Sequence, residues 1–251
     1  MSARRATRTL GTLLLVGGVG VLVWVVVVWQ WQDPFTALYT TWKQHQLSQS
    51  YDKRVREYHP PRQVESVAKA QAATRPGVIA AEVRAEARQY RLDSQRGQAI
   101  GRLRVPRLGL NMVLVDGTDD SSLQKGPGLD RRTYMPGEGQ LVYIAGHRTT
   151  YLAPFAHIER MRAGDSVTIE MPYATFVYRV FTKQIVQADD MAALRSNGRE
   201  IVKLQACHPR FFASHRYIVS ARLVRIQQRG KSPISAPTRV LASAPLAATE
   251  G

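Results

Sequence analysis

Paired cysteines are missing: the chain has a single one, Cys207, in 251 residues, so no disulfide can form within it. There is no H-x-x-x-H, C-x-x-C or comparable spacing of metal-binding side chains, which removes the case for a metal site, and nothing calls for a cofactor. A helix-turn-helix pattern, a zinc-finger spacing and a glycine-aromatic RNA-binding signature are equally absent, so nucleic acid is set aside as a partner. Acidic residues are scarce, 19 against 35 Lys and Arg, for a net charge of +16. That surplus suits an anionic membrane surface or an acidic cell-wall polymer without choosing between them. No internal repeat is present.

One long uncharged run is present. Residues 10–31 are 22 positions rich in Leu and Val, and at ~1.5 Å of rise each they cover the ~30 Å hydrocarbon core of a bilayer. No small-residue cleavage site follows; the run passes into Trp-Gln-Trp-Gln-Asp-Pro at 29–34. This predicts an uncleaved transmembrane helix rather than a signal peptide. Arg4, Arg5 and Arg8 precede it, and the next Lys or Arg is Lys43. The positive-inside rule therefore places residues 1–9 in the cytoplasm as a short tail and the remainder outside the cell membrane. Trp29 and Trp31 fall near the outer boundary, where an indole keeps its ring in lipid and its N–H at the interface.

Residues 32–96 are polar, basic and short of large aliphatic side chains, with helical patterns at 64–73 and 78–90. They read as an extracellular stalk, helical or disordered. From residue 97 the texture changes to short β-type runs at 103–105, 112–115, 141–145, 166–171, 175–186, 201–206 and 217–226, punctuated by Gly, Pro and Asp. Seven or eight strands in 97–226 predict an all-β domain, an antiparallel barrel or sandwich. Short helices are expected at 119–124, 154–161 and 189–195. Residues 227–251, rich in Ala, Ser and Pro, read as a flexible tail.

A lone thiol is either buried and inert or kept for reactivity. Cys207 closes the apolar run 201–206 and precedes His208-Pro209, so it sits where a strand leaves the sheet and can meet a substrate groove. With a free pKa near ~8.5 a thiol needs a base and a cation to act at neutral pH. His147 follows the run 141–145 and one glycine, at the mouth of a loop, and Arg216 opens the run after Cys207, where a hairpin would bring it alongside. His208 and His215 are rivals for the base, but His208 adjoins Cys207, and neighbours on a strand face opposite sides.

At these positions the chain resembles the sortases, most closely class E sortases of actinobacteria. The likeness runs over about 97–226 and is carried by Pro136-Gly-Glu138, Ala145-Gly-His-Arg-Thr-Thr-Tyr151, Ala153-Pro-Phe155, Arg162-Ala-Gly-Asp165, Cys207-His-Pro-Arg210 and Ser214-His-Arg216. It implies a closed antiparallel barrel with short helices. It also implies a cysteine transpeptidase in which Cys207 is the nucleophile, His147 the acid/base and Arg216 the oxyanion cation, with Ala206, His208, Thr149 and Tyr151 near the substrate. The implied reaction cuts a Leu-Ala-x-Thr-Gly-like sorting signal of a secreted protein between Thr and Gly. The protein then passes through a thioester to an amine of a cell-wall precursor. Where sortases carry Thr-Leu-x-Thr-Cys, this chain has Lys203-Leu-Gln-Ala-Cys207, so the pocket beside the thiol is altered. Assembly of pilus subunits, or a degenerate domain that binds signals without turnover, are the alternatives within the family. An L,D-transpeptidase would show Ser-x-Gly-Cys, and a papain-like protease would place Cys before His; neither pattern is here.

Overall fold

Along Ser166–Glu170 buried residues alternate with half-buried ones, Val167 and Ile169 being fully covered, as expected of a strand with one face on a core. The computed structural model describes residues 3–31, 34–60, 75–229 and 234–235, and the predicted helix at 64–73 and nearly all of the tail lie outside the described residues. Its strands are β1 (Ala99–Val105), β2 (Leu110–Asp116), β3 (Gly128–Leu129), β4 (Leu141–Ala145), β5 (Ser166–Glu170), β6 (Ala174–Gln187), β7 (Ile201–His208), β8 (His215–Gln228) and β9 (Ile234–Ser235). The order β6-β5-β1-β2-β3-β4-β7-β8 closes on itself, because β8 pairs with β6 from Ala174↔Gln228 to Gln187↔His215. Eight strands therefore make a closed barrel, and β9 adds to β8 at Arg225 and Ile226.

The barrel is mixed rather than wholly antiparallel: β2 pairs with β3, and β4 with β7, in parallel. Parallel neighbours need a crossover instead of a hairpin, and β5 and β6 supply it between β4 and β7 on the far side of the barrel. Inside lie Phe155, Phe176, Tyr173, Tyr178 and the aliphatic residues of β1, β4 and β7. Of the short helices, 119–124 forms as a helical turn (Asp120–Leu123) capped by the Asp119 carboxylate, which accepts from Ser122 N–H. The other two are reduced to 3-10 turns, Ile158–Arg160 and Met191–Leu194.

Among the described residues three longer helices precede the barrel: α1 (Ala3–Trp31), α2 (Pro34–Glu57) and α3 (Arg75–Asp93). The apolar helix is present, and Thr7–Val27 is long and apolar enough to cross a membrane. The described part of the expected stalk is not free of the domain. Val83, Ala87 and Tyr90 of α3 are in the main core, and Tyr51 of α2 packs with Ala99 and Val113. Polar bonds hold both helices down. Gln44 brackets Val113, its Oε1 accepting from the backbone N–H at 2.7 Å and its Nε2 donating to the carbonyl at 3.1 Å. Arg91 donates twice to Glu138, at 2.7 and 3.2 Å. Because Val83 is fully covered, Val83→Ala is expected to lower stability by about 2 kcal/mol. A helix standing free in solvent would lose under about 0.5 kcal/mol, so a denaturation curve decides between packed and free.

Candidate active site

In β7 the side chains of Val202, Leu204 and Ala206 point into the core, each fully covered. Alternation therefore turns Gln205 and Cys207 to the other face. Cys207 is half-buried and opposes Arg216 directly in the β7–β8 register, an arrangement that sets Cβ atoms about 4.5–5.5 Å apart on one face. On its other side, β7 runs parallel to β4 with Ala145 level with Gln205, and Gly146 N–H donates to the Gln205 carbonyl at 3.0 Å. Two residues further along each chain come His147 and Cys207. The register thus brings thiol, imidazole and guanidinium to one end of three adjacent strands.

All three line a single open cavity of about 370 Å³. Its other walls include Asp120 from the capped turn, Asp130 and Arg132 ahead of β4, and residues of the end of β6 and the segment after it, between Val186 and Leu194. Gly146 permits the close packing beneath His147, since a Cβ there would stand 2.7 Å from the Phe155 ring. His147 Nε2 is buried with no hydrogen-bond partner among the described residues. Burial pushes this imidazole below its ordinary pKa, and the Asp120 carboxylate opposes that shift. Asp120→Asn removes the opposing charge and leaves the desolvation, so the His147 ring is expected to titrate at lower pH still. NMR of the imidazole resonances reads this directly; an unmoved midpoint would take Asp120 out of the site's electrostatics.

The loop after His147 is held under constraint. Tyr151, Leu152 and Ala153 have φ of 53°, 60° and 37°, left-handed values that non-glycine residues keep only when neighbours impose them. Ala153 N–H donates to Thr150 O at 2.8 Å, Phe155 N–H to His147 O at 3.1 Å, and Tyr151 N–H to Thr36 Oγ1 on α2 at 3.1 Å. The Tyr151 ring lies against the imidazole, centroids 5.1 Å apart.

The remaining expected substrate contacts divide. Ala206 faces the core, fully covered. His208 lies on the far side of β7 from the thiol, its Nδ1 accepting from Arg148 Nη1 at 3.0 Å; burial and that guanidinium hold its pKa below the ordinary value. Thr149 is half-buried and is not among the residues lining the cavity. Only Tyr151 of the four is placed against a reactive group.

Sequence reasoning missed Arg148 except as a letter of a motif. Its side chain is 7% exposed; Nη1 donates to the Cys207 carbonyl at 3.1 Å and Nη2 to Glu159 Oε2 at 2.9 Å. The residue next to the imidazole thus grips the backbone that carries the thiol. Arg216 is placed similarly by the loop it closes, Nη1 donating to Ala213 O at 2.7 Å and His215 O at 3.0 Å. Among the described residues no cluster of three His, Cys, Asp or Glu is placed to hold a metal ion.

A thiol, an imidazole and a guanidinium facing one cavity are the equipment of cysteine acyl-transfer chemistry. Comparison with known proteins gives the family of the barrel: residues 103–224 match the Sortase domain. Sortase D of Bacillus subtilis is 30% identical over 134 residues, 52% of this chain and 66% of that protein. Sortase SrtE1 of Streptomyces coelicolor is 27% identical over 157 residues, 54% of this chain and 43% of that one. The chain therefore spans less than two thirds of either relative. Among solved structures, the Sortase D5 transpeptidase of Clostridium perfringens shares the fold with a TM-score of 0.55 at 20% identity, covering 72% of this chain and 98% of the other.

Proposed function

We propose that the chain is a membrane-anchored cysteine transpeptidase that cuts a Leu-Ala-x-Thr-Gly-like sorting signal and transfers the protein to an amine of a cell-wall precursor. The observation that carries this reading is the convergence of Cys207, His147 and Arg216 on one cavity. In the proposed cycle the Cys207 sulfur attacks the Thr carbonyl carbon, and Arg216 stabilises the oxyanion that forms. The bond to Gly breaks as His147, as imidazolium, gives its proton to the departing amine. An incoming amine then attacks the thioester, the carbon–sulfur bond breaks, and His147, as imidazole, takes the amine's proton.

α1 is the proposed anchor, with residues 1–9 inside the cell and the barrel outside, supported by the basic residues before the span and none directly after it. The likeness of the motifs to class E stands beside a slightly higher identity to a Sortase D than to SrtE1. The signal's second position is therefore the point to vary. Incubating the chain with peptides carrying Ala or Pro there, plus an added amine, is expected to yield cleavage between Thr and Gly and a new amide, read by mass spectrometry. Peptides bound but left whole would support the alternative of a degenerate signal-binding domain, and a preference for amines on a pilin lysine that of pilus assembly.

A further inference from the structure

We infer that the first three turns of α2 are a lipid-contact surface that lays the barrel against the membrane, with the cavity mouth at the lipid boundary. This rests on the proposed anchoring by α1 and extends it from the span to the folded domain. α2 is fixed on the barrel by an inward stripe of Thr36, Thr40, Gln44, Leu47, Tyr51 and Val55, spaced three or four apart as one helix face requires. Thr40 Oγ1 donates to Gln124 O at 2.9 Å, Gln44 Nε2 to Lys125 O at 2.7 Å and Tyr51 OH to Glu170 O at 2.8 Å.

The opposite face changes character along its length. Leu38, Tyr39 and Trp42 are 71%, 38% and 54% exposed, and after Lys43 the exposed positions turn polar, with His45, Gln46, Gln49, Ser50 and Lys53. Large apolar side chains are thus left outward only in the part nearest the apolar helix, which ends at Trp31, three positions before Pro34. Lys43 Nζ stands 4.4 Å from the Trp42 ring centroid and 5.7 Å from that of Tyr39. Indole and phenol bodies with a cation at their rim match the boundary between acyl chains and anionic headgroups.

Distance fixes the attitude. Trp42 is eight residues past Pro34, about 12 Å along a helix axis, whereas the headgroup layer on one side of a bilayer is about 5–8 Å deep. A helix standing upright would lift Trp42 clear of the lipid, so contact at both Leu38 and Trp42 requires α2 to lie nearly flat. Tyr39 meets Tyr151 edge-on at 6.5 Å, and Tyr151 covers His147. The imidazole is therefore two aromatic rings away from the lipid contact, within reach of an acceptor held in the membrane.

The test uses the full chain in vesicles of phosphatidylcholine and phosphatidylglycerol, comparing it with Trp42→Phe so that the difference in emission isolates Trp42 from the indoles of α1. Lipids brominated high on the acyl chain are expected to remove the Trp42 component, and acrylamide in the water to leave it. Emission quenched by acrylamide and untouched by brominated lipid, in a chain that resists alkaline carbonate extraction, would overturn the lipid contact and leave the anchor standing. Shielding from both quenchers would mean that a second copy covers the face, and overturns the inference equally. A chain washed off by carbonate would refute the anchor, and the inference with it.

Discussion

With Cys207 replaced by alanine, turnover of a Leu-Ala-x-Thr-Gly peptide is expected to fall by about 10⁴-fold or more, as it does when a nucleophile is removed from a catalytic unit. The parent chain, incubated with peptide and no amine, should gain the mass of the acyl fragment on the peptide carrying Cys207, and the variant should gain none. No other thiol can take over, because the chain contains only this cysteine. The substitution removes one sulfur from a half-buried position, so thermal unfolding should be little changed, and lost activity could not be assigned to lost fold. An acyl adduct that persists in Cys207→Ala would place the nucleophile elsewhere and end the reading of this cavity as a transpeptidase centre.

Arg216→Gln is expected to lower kcat by about 10²- to 10³-fold, the usual cost of removing one donor from a developing oxyanion. Arg216→Lys should fall between, since it keeps the charge but loses the planar fork. Part of the guanidinium is already committed to Ala213 O and His215 O, so the glutamine variant also loosens the loop between β7 and β8. The split between kcat and KM separates the two effects. A loop that only loosens raises KM for the peptide, whereas loss of oxyanion stabilisation lowers kcat at saturating peptide. An unchanged kcat in Arg216→Gln would remove the guanidinium from the chemistry.

The barrel was legible because its strands carry their burial in the pattern of the letters. The run 141–145 coincides with β4, and 201–206 with most of β7, since both place Val, Ile, Leu and Ala where the core needs them. β3 was missed, being two residues long and defined by its neighbours on either side. The packing of α2 and α3 on the barrel was missed for another reason. Their inward faces mix a few aliphatic residues, Leu47, Val55 and Val83, with Thr40, Gln44, Tyr51, Ala87 and Tyr90, so Leu, Ile and Val are too sparse to mark a buried helix face. The parallel pairing of β4 with β7 was hidden too, because strand runs in a sequence carry no label of their direction.

At the site, strand alternation alone told His208 from His147, and the structure puts the two imidazoles on opposite sides of β7. Ala206, which the resemblance had implied as a substrate contact, instead faces the core. Arg148 could not be read in this way. Its bond to a main-chain carbonyl 59 residues away leaves no spacing to recognise.

That clasp has a mechanical result. The segment bearing the imidazole is strapped by its next residue to the stretch bearing the sulfur, and Glu159 anchors the strap from behind. Flexing that parted the two segments would have to break that bond, so the clasp favours movements of the groove that carry both side chains together.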